Sequence, residues 1–252
     1  MRVARVEIRA PVTSFRHPFF VTGRQPTFDF PPPSTIFGHC ASALGDWPDP
    51  ATFFFGIHFV YKSKVRDLEH QHITTPLGSK TRIRVETASG PALATTEINV
   101  QPVVRDFLFD TTMTLYLPTS LAAAFRAPVY PVVLGRSQDL AEVKAIDEID
   151  LVHPVRARIE HTLLPTWVRP CVRFGSTVLL SRYIAPPPKR DATFAQYISL
   201  HDPVFFGEEE AEAKAFVKVD GISLDDLWVD PDPVIADEEG RGRGVWFHRL
   251  VD

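Results

Sequence analysis

The chain has 252 residues, 44% of them hydrophobic and 23% charged, with two cysteines, nine histidines and a formal net charge of −4. These are the proportions of a globular protein, and two cysteines are too few for a disulfide scaffold. No apolar run approaches the roughly 20 residues that a bilayer span requires, and the opening MRVARVEIRAPV lacks the apolar core of a signal peptide. A reducing cytoplasm is the expected compartment. Cys40 and Cys171 lack metal-ligand spacing and read as small buried residues. The charge is unevenly distributed. From Asp202 to Gly240 thirteen acidic residues face two lysines, a net of −11, which leaves +7 on the rest. Local charge decides which partners approach, so an acidic segment masks a basic body. That segment reads as solvated surface or as a face toward a basic partner.

Val3 to Ala10 alternates, with Ala4, Val6, Ile8 and Ala10 on one side and Arg5, Glu7 and Arg9 on the other, which predicts a half-buried strand. Pro31, Pro32 and Pro33 then hold the chain extended. They aim a helix over Ser34 to Leu44, with Ser34 or Thr35 as its cap, Ile36, Cys40 and Leu44 on its apolar face, and Gly45 just past its end. Thr52 to Tyr61 is apolar on both faces and predicts a central strand. Lys62 to Arg105 is polar, with turn signals near Gly78 and Gly90, and reads as a hairpin arm projecting from the body.

Phe107 to Leu117 predicts a third strand, Thr119 to Arg126 a short helix stopped by Pro128, and Tyr130 to Leu134 a fourth strand. The order strand, helix, strand, strand, helix, strand is the ferredoxin-like βαββαβ arrangement of an α+β fold, which RNA-recognition domains use. Residues 1–145 are therefore read as this domain, with the arm at about 62–105. Residues 146–252 are read as a β-rich extension packed on it, with strands at Val152 to Leu163, Thr177 to Ile184 and Val245 to Val251. No linker or internal repeat divides the chain.

Several residues carry chemistry suited to nucleic acid. A helix N-terminus beside Arg16, His17, Arg24 and Gln25 is a ready anion site, and Ser34 and Thr35 sit at its start. Arg24 lies in a turn among Phe19, Phe20 and Phe28, of which Phe28 is expected to be exposed; bases stack on rings while a cation holds phosphate. Gly135, Arg136 and Ser137 follow a predicted strand and lead into a predicted helix start at Asp139; the glycine admits close backbone approach, and the arginine can bind phosphate bidentately. Lys80, Arg82, Arg84 and Arg105 lie in the arm or at its base, where a basic hairpin can grip a backbone. Gly240 to Gly244 can cradle a phosphate, but it lacks the Lys-Ser/Thr of a nucleotide-binding loop. His70 and His72, beside Glu69, lack the further ligands a metal needs; with Tyr61 and Lys62 they could instead serve as the acid and base of a metal-independent ribonuclease.

SFRHPFFVTGRQPTFDFPPPSTIFGHCASALGD (Ser14 to Asp46) resembles the N-terminal signature of the CRISPR-associated protein 5 family. VVRDFLFDTTMTLYLP (Val103 to Pro118) and YPVVLGRSQDLAEV (Tyr130 to Val143) resemble the same family, in the expected order. The resemblance implies a non-catalytic RNA-binding subunit of a type I CRISPR effector (Cascade) complex, most like subtype I-B, that caps the 5′ handle of the CRISPR RNA in antiviral defense. Its implied partners are the CRISPR RNA, the backbone and large subunits of the complex, and target DNA near the protospacer-adjacent motif. It implies no cofactor, no metal and no membrane. Some type I-C relatives cut precursor RNA with a Tyr, Lys and His set, which keeps the endoribonuclease alternative open. A protein-only structural adaptor is the third reading.

Overall fold

A computed structural model describes residues 1–20, 23–77, 83–94, 96–208 and 214–251. It is an α+β molecule, mostly sheet. Strand β1 (Arg2–Thr13) buries Ala4, Val6, Ile8 and Ala10 against the main core, as its alternation dictates. Helix α1 (Pro33–Leu44) follows it, and then two very long strands, β2 (Phe54–Pro76) and β3 (Thr96–Leu117). A 3-10 turn leads into the short helix α2 (Ala122–Arg126), and β4 (Glu142–Asp150) comes next. All neighbouring pairs among these four strands are antiparallel, and their spatial order is β2-β3-β1-β4.

The fourth strand is not Tyr130 to Leu134. Among the described residues that stretch makes only one bridge, Val133 to Leu140, and the strand beside β1 is β4. Asp139 starts no helix; it closes the turn before β4.

Helix α1 is set by the prolines, with Pro32 in extended geometry at its N-cap. Neither Ser34 nor Thr35 caps it. Ser34 Oγ instead lies 2.6 Å from Ser181 Oγ, so its hydroxyl is committed to the C-terminal half of the chain. The buried face is Ile36, Phe37, Cys40, Ala41 and Ala43, while Leu44 is turned toward solvent. Gly45 ends the helix at φ 78°, where glycine is unstrained, and its N–H donates to Ala41 O at 2.9 Å.

β2 and β3 stay paired from Gly56–Tyr116 out to Pro76–Thr96. Their inner halves, with Phe55, Ile57, Phe59, Met113, Leu115 and Leu117, are core. Their outer halves leave the body as a two-stranded arm, and a small hairpin of Ile83–Thr87 with Gly90–Ala94 lies beyond.

The second face of the main sheet is also covered. The C-terminal segment crosses it so closely that a Cβ on Gly56 would sit 2.4 Å from Val245 Cγ1. Part of the acidic segment lies here rather than in solvent. Asp230 is fully buried; it accepts a hydrogen bond from Tyr116 Oη at 2.9 Å and one from Arg5 Nη1 at 3.1 Å. Arg5 also reaches Asp232 at 2.8 Å and Asp147 at 3.0 Å.

The stretch expected as one strand at Val152 to Leu163 is broken. Ala157–Ile159 and Thr162–Pro165 join different sheets, with His161 at φ 48° between them. Likewise the last strand splits into Gly242–Trp246, in a five-stranded second sheet, and His248–Arg249, beside β2. β5 (Ser176–Ile184) and β6 (Ala192–Leu200) form a hairpin that packs on α1.

Candidate functional site

A cleft of about 590 Å³ opens where the arm leaves the body. Its walls come from distant parts of the chain. They are Ser14 to Arg16 at the end of β1, Pro32 and Thr35 at the start of α1, and Glu69 and Arg105 on the arm. The Gly135–Arg136 turn and the tip of the β5–β6 hairpin complete them. Arg16, Phe28, Thr35, Arg105, Gly135 and Arg136 are thus brought together.

The turn is built by close approach. Gly135 has φ 97°, and a Cβ there would lie 2.5 Å from Thr13 Oγ1 and 2.8 Å from Ser14 O. Thr13 Oγ1 donates to Leu134 O, and Asp139 accepts the Arg136 N–H at 3.1 Å. Arg136 lies over the Phe107 ring, 4.4 Å from its centroid. Its guanidinium forks onto Asp139 at 3.0 and 2.6 Å, and its Nη1 reaches Glu69 Oε2 at 2.6 Å. Arg105, only 4% exposed, donates to both oxygens of the same Glu69 at 2.6 and 3.3 Å. Burial alone would raise the Glu69 carboxyl, but the hydrogen bonds and charges of Arg105 and Arg136 outweigh it and hold the group below the usual carboxylate range. Glu69 therefore draws the arm, β3 and the 135–139 turn together. Arg16 is exposed and makes no ion pair with any described residue, which leaves it the freest cation of the cleft.

Arg24 stands elsewhere. It donates to Asp106 at 2.9 Å, and Arg66 shares that carboxylate at 3.3 Å. Arg105 and Asp106 are neighbours in a strand and point to opposite faces, so Arg24 and Arg66 serve the far side of the arm. Both are more than half exposed. Two cations on one carboxylate leave a positive surplus there.

Phe28 is buried, contrary to expectation. Thr27–Phe28 pairs with Phe15–Arg16, which turns the Phe28 ring inward against Phe15's strand and 4.5 Å from the His17 ring. Phe19 and Phe20 are the exposed rings, and burial in this aromatic group lowers the His17 pKa. Gln25 is buried, and Ser137 is exposed at the tip of its turn. Arg84 is exposed on the outer hairpin. Lys80 and Arg82 lie outside the described residues.

The residues of the ribonuclease alternative do not converge. His70 and His72 are exposed on the arm opposite Pro102 and Val100. Tyr61 and the exposed Lys62 lie on the same strand, and the nine residues from Tyr61 to His70 span about 30 Å. Tyr61 instead donates to Asp29 Oδ1 at 3.3 Å, and burial together with that carboxylate pushes its phenol up to about 12. Lys64 Nζ reaches the same carboxylate at 2.9 Å, and His201 Nε2 lies 3.8 Å from it. This set was not visible in the sequence, because 172 residues separate Asp29 from His201 and no local pattern marks either. Among the described residues, no group of three or more His, Cys, Asp or Glu could hold a metal, and no helix is long and apolar enough to cross a membrane.

These features define a mostly β protein whose cationic, aromatic-walled cleft sits at the root of a two-stranded arm. The chain belongs to the CRISPR-associated protein 5 family: the family described as CRISPR-associated protein (Cas_Cas5) matches residues 4–173. No curated protein matches it. Among solved structures it is similar to a chain of a CRISPR RNA-guided surveillance complex, at 16% identity and TM-score 0.47, over 80% of this chain and 91% of that one. It is also similar to a CRISPR protein from Archaeoglobus fulgidus, at 10% identity and TM-score 0.44, over 99% and 100% of the two chains.

Proposed function

We propose that this chain is a non-catalytic RNA-binding subunit of a type I CRISPR effector complex and that it caps the 5′ handle of the CRISPR RNA. The observation that carries the reading is the cleft: the exposed Arg16, the Arg105–Arg136 pair and the first turn of α1 frame one opening beside the arm. Backbone and large subunits of the complex, and target DNA near the protospacer-adjacent motif, are the further partners this role requires. The order β2-β3-β1-β4, with one helix after β1 and one after β3, supports reading the body as a ferredoxin-like domain. The rest of the chain is then the extension that walls its cleft.

The test is a gel assay with purified protein and labelled repeat RNA, followed over time with and without EDTA. Retarded, uncut RNA is the expected result. No retardation either alone or after co-expression with the other subunits leaves a protein-only adaptor and overturns the proposal.

A second reading, metal-independent endoribonuclease, is favoured by one observation: Tyr61, Lys64 and His201 gather on Asp29, which supplies groups able to move protons at an RNA 2′-hydroxyl. EDTA-resistant cleavage abolished by His201→Ala, with binding retained, would establish it.

A further inference from the structure

The cleft has a second wall, contributed by the C-terminal hairpin. Phe194 lines it from β6, with Ile184 and Ala192 beside it at the hairpin tip. Phe194 is 43% exposed and Phe19 64% exposed, and their rings face each other with centroids 6.2 Å apart. Segments 175 residues apart thus place two large apolar rings in water at one rim. Phe194 is held there: its strand neighbour in β5 is Ser181, whose hydroxyl meets Ser34 at the start of α1. Other parts of the lining are polar and cationic, with Arg16, the Gly135–Arg136 turn and Gln138. A ligand that covers both the apolar and the cationic lining needs a flat apolar part joined to an anionic part, which an unpaired nucleotide has.

We propose that Phe194, with Phe19 beside it, forms a nucleobase subsite of the cleft. One unstacked base of the bound RNA lies on the Phe194 ring, and its flanking phosphate lies toward Arg16. This rests on the cleft being the RNA site. It adds that the C-terminal hairpin takes part in recognition and that the contact is to a base.

The test compares the full-length protein with Phe194→Ala, Phe194→Leu and Arg16→Ala. Each is titrated against a labelled single-stranded repeat-derived RNA and against an abasic ribose-phosphate strand of the same length. Circular dichroism checks that each variant is folded. Phe194→Ala is expected to weaken RNA binding about tenfold, the size of one base–aromatic stack, and to leave the abasic strand unaffected. Phe194→Leu keeps the apolar volume and is expected to show the same loss. Arg16→Ala is expected to weaken both strands. If both Phe194 variants bind RNA like the unsubstituted protein while Arg16→Ala weakens it, the subsite is wrong and the cleft assignment stands. If Arg16→Ala also binds normally, RNA does not occupy the cleft and the subsite falls with it. If an acidic aromatic peptide binds in a Phe194-dependent way and RNA does not, the occupant is protein and the proposal is overturned.

Discussion

Arg5 and Arg16, eleven residues apart near the two ends of β1, meet opposite surroundings. Arg5 faces three carboxylates, Asp147, Asp230 and Asp232, beneath the crossing C-terminal segment. Arg16 meets none among the described residues and borders an open cleft. The same residue type is a structural pin where carboxylates outnumber it and burial strengthens their attraction, and a ligand contact where they do not. Part of the acidic segment, which the sequence alone presents as an exposed −11 block, is folded onto the body. Arg156 and Arg241 meet Glu208, and Arg241 also meets Asp237, as Arg5 meets Asp230 and Asp232. The total charge of the chain therefore says little about its partners.

Four measurements would break or sharpen this contrast. The largest effect is expected from acid. Burial lowers the pKa of His39 and of His248 to about 4, so both are neutral in the fold. Unfolded, they would take protons below about 6.5. Stability contributed by the neutral form is complete above that value and falls as the pH drops from about 6.5 toward 4, by roughly 3 kcal/mol for each group. Chemical denaturation across this range should show the loss; a flat profile would mean these histidines are not closed off. Asp230→Ala should cost about 3 kcal/mol, since it leaves the buried Tyr116 O–H proton without its acceptor and removes one partner of Arg5. RNA affinity of the folded fraction should not change, and a specific loss of binding there would blur the division between the two regions.

Glu69→Gln should have a smaller and double effect. It removes the charge that holds Arg105 and Arg136, costing on the order of 1–2 kcal/mol in denaturant. It also raises the net charge of the cleft by one, so RNA affinity should rise several-fold and steepen with falling salt. Weaker binding by a folded variant would show that the ion pair is itself needed for recognition. Arg16→Ala should cost less than about 0.5 kcal/mol, because the side chain is exposed and has no ion pair among the described residues. It should flatten the dependence of log affinity on log salt by about 0.7, as expected for one phosphate contact on a single strand.

Much of the architecture was readable where a short local pattern decides it. The alternation of β1, the phenylalanine run of β2 and the glycine stop of α1 each follow from one local rule. β4 was missed because its apolar residues, Val143, Ile146 and Ile149, are spaced by three. A bulge opposite Glu7 and Ile8 breaks the strand period, and Ile149 turns to the far face beside Val3. Tyr130 to Leu134 resembles a strand because it is an apolar run, and sequence alone carries no pairing information. The cleft was partly legible. Glycine and arginine at 135 and 136 could be picked out, but the Glu69 pins and the Phe194 wall come from contacts over 36 to 175 residues, which no local pattern encodes. Phe28 was misplaced because a two-residue ladder, rather than the aromatic pattern, decides which ring turns inward.

Ultraviolet crosslinking of the assembled complex to its RNA, with peptides mapped by mass spectrometry, tests the central claim most directly. The account predicts crosslinks at residues 14–19, 135–138 and 184–194, around the cleft. Crosslinks confined to the face of Arg5, with none around the cleft, would contradict it.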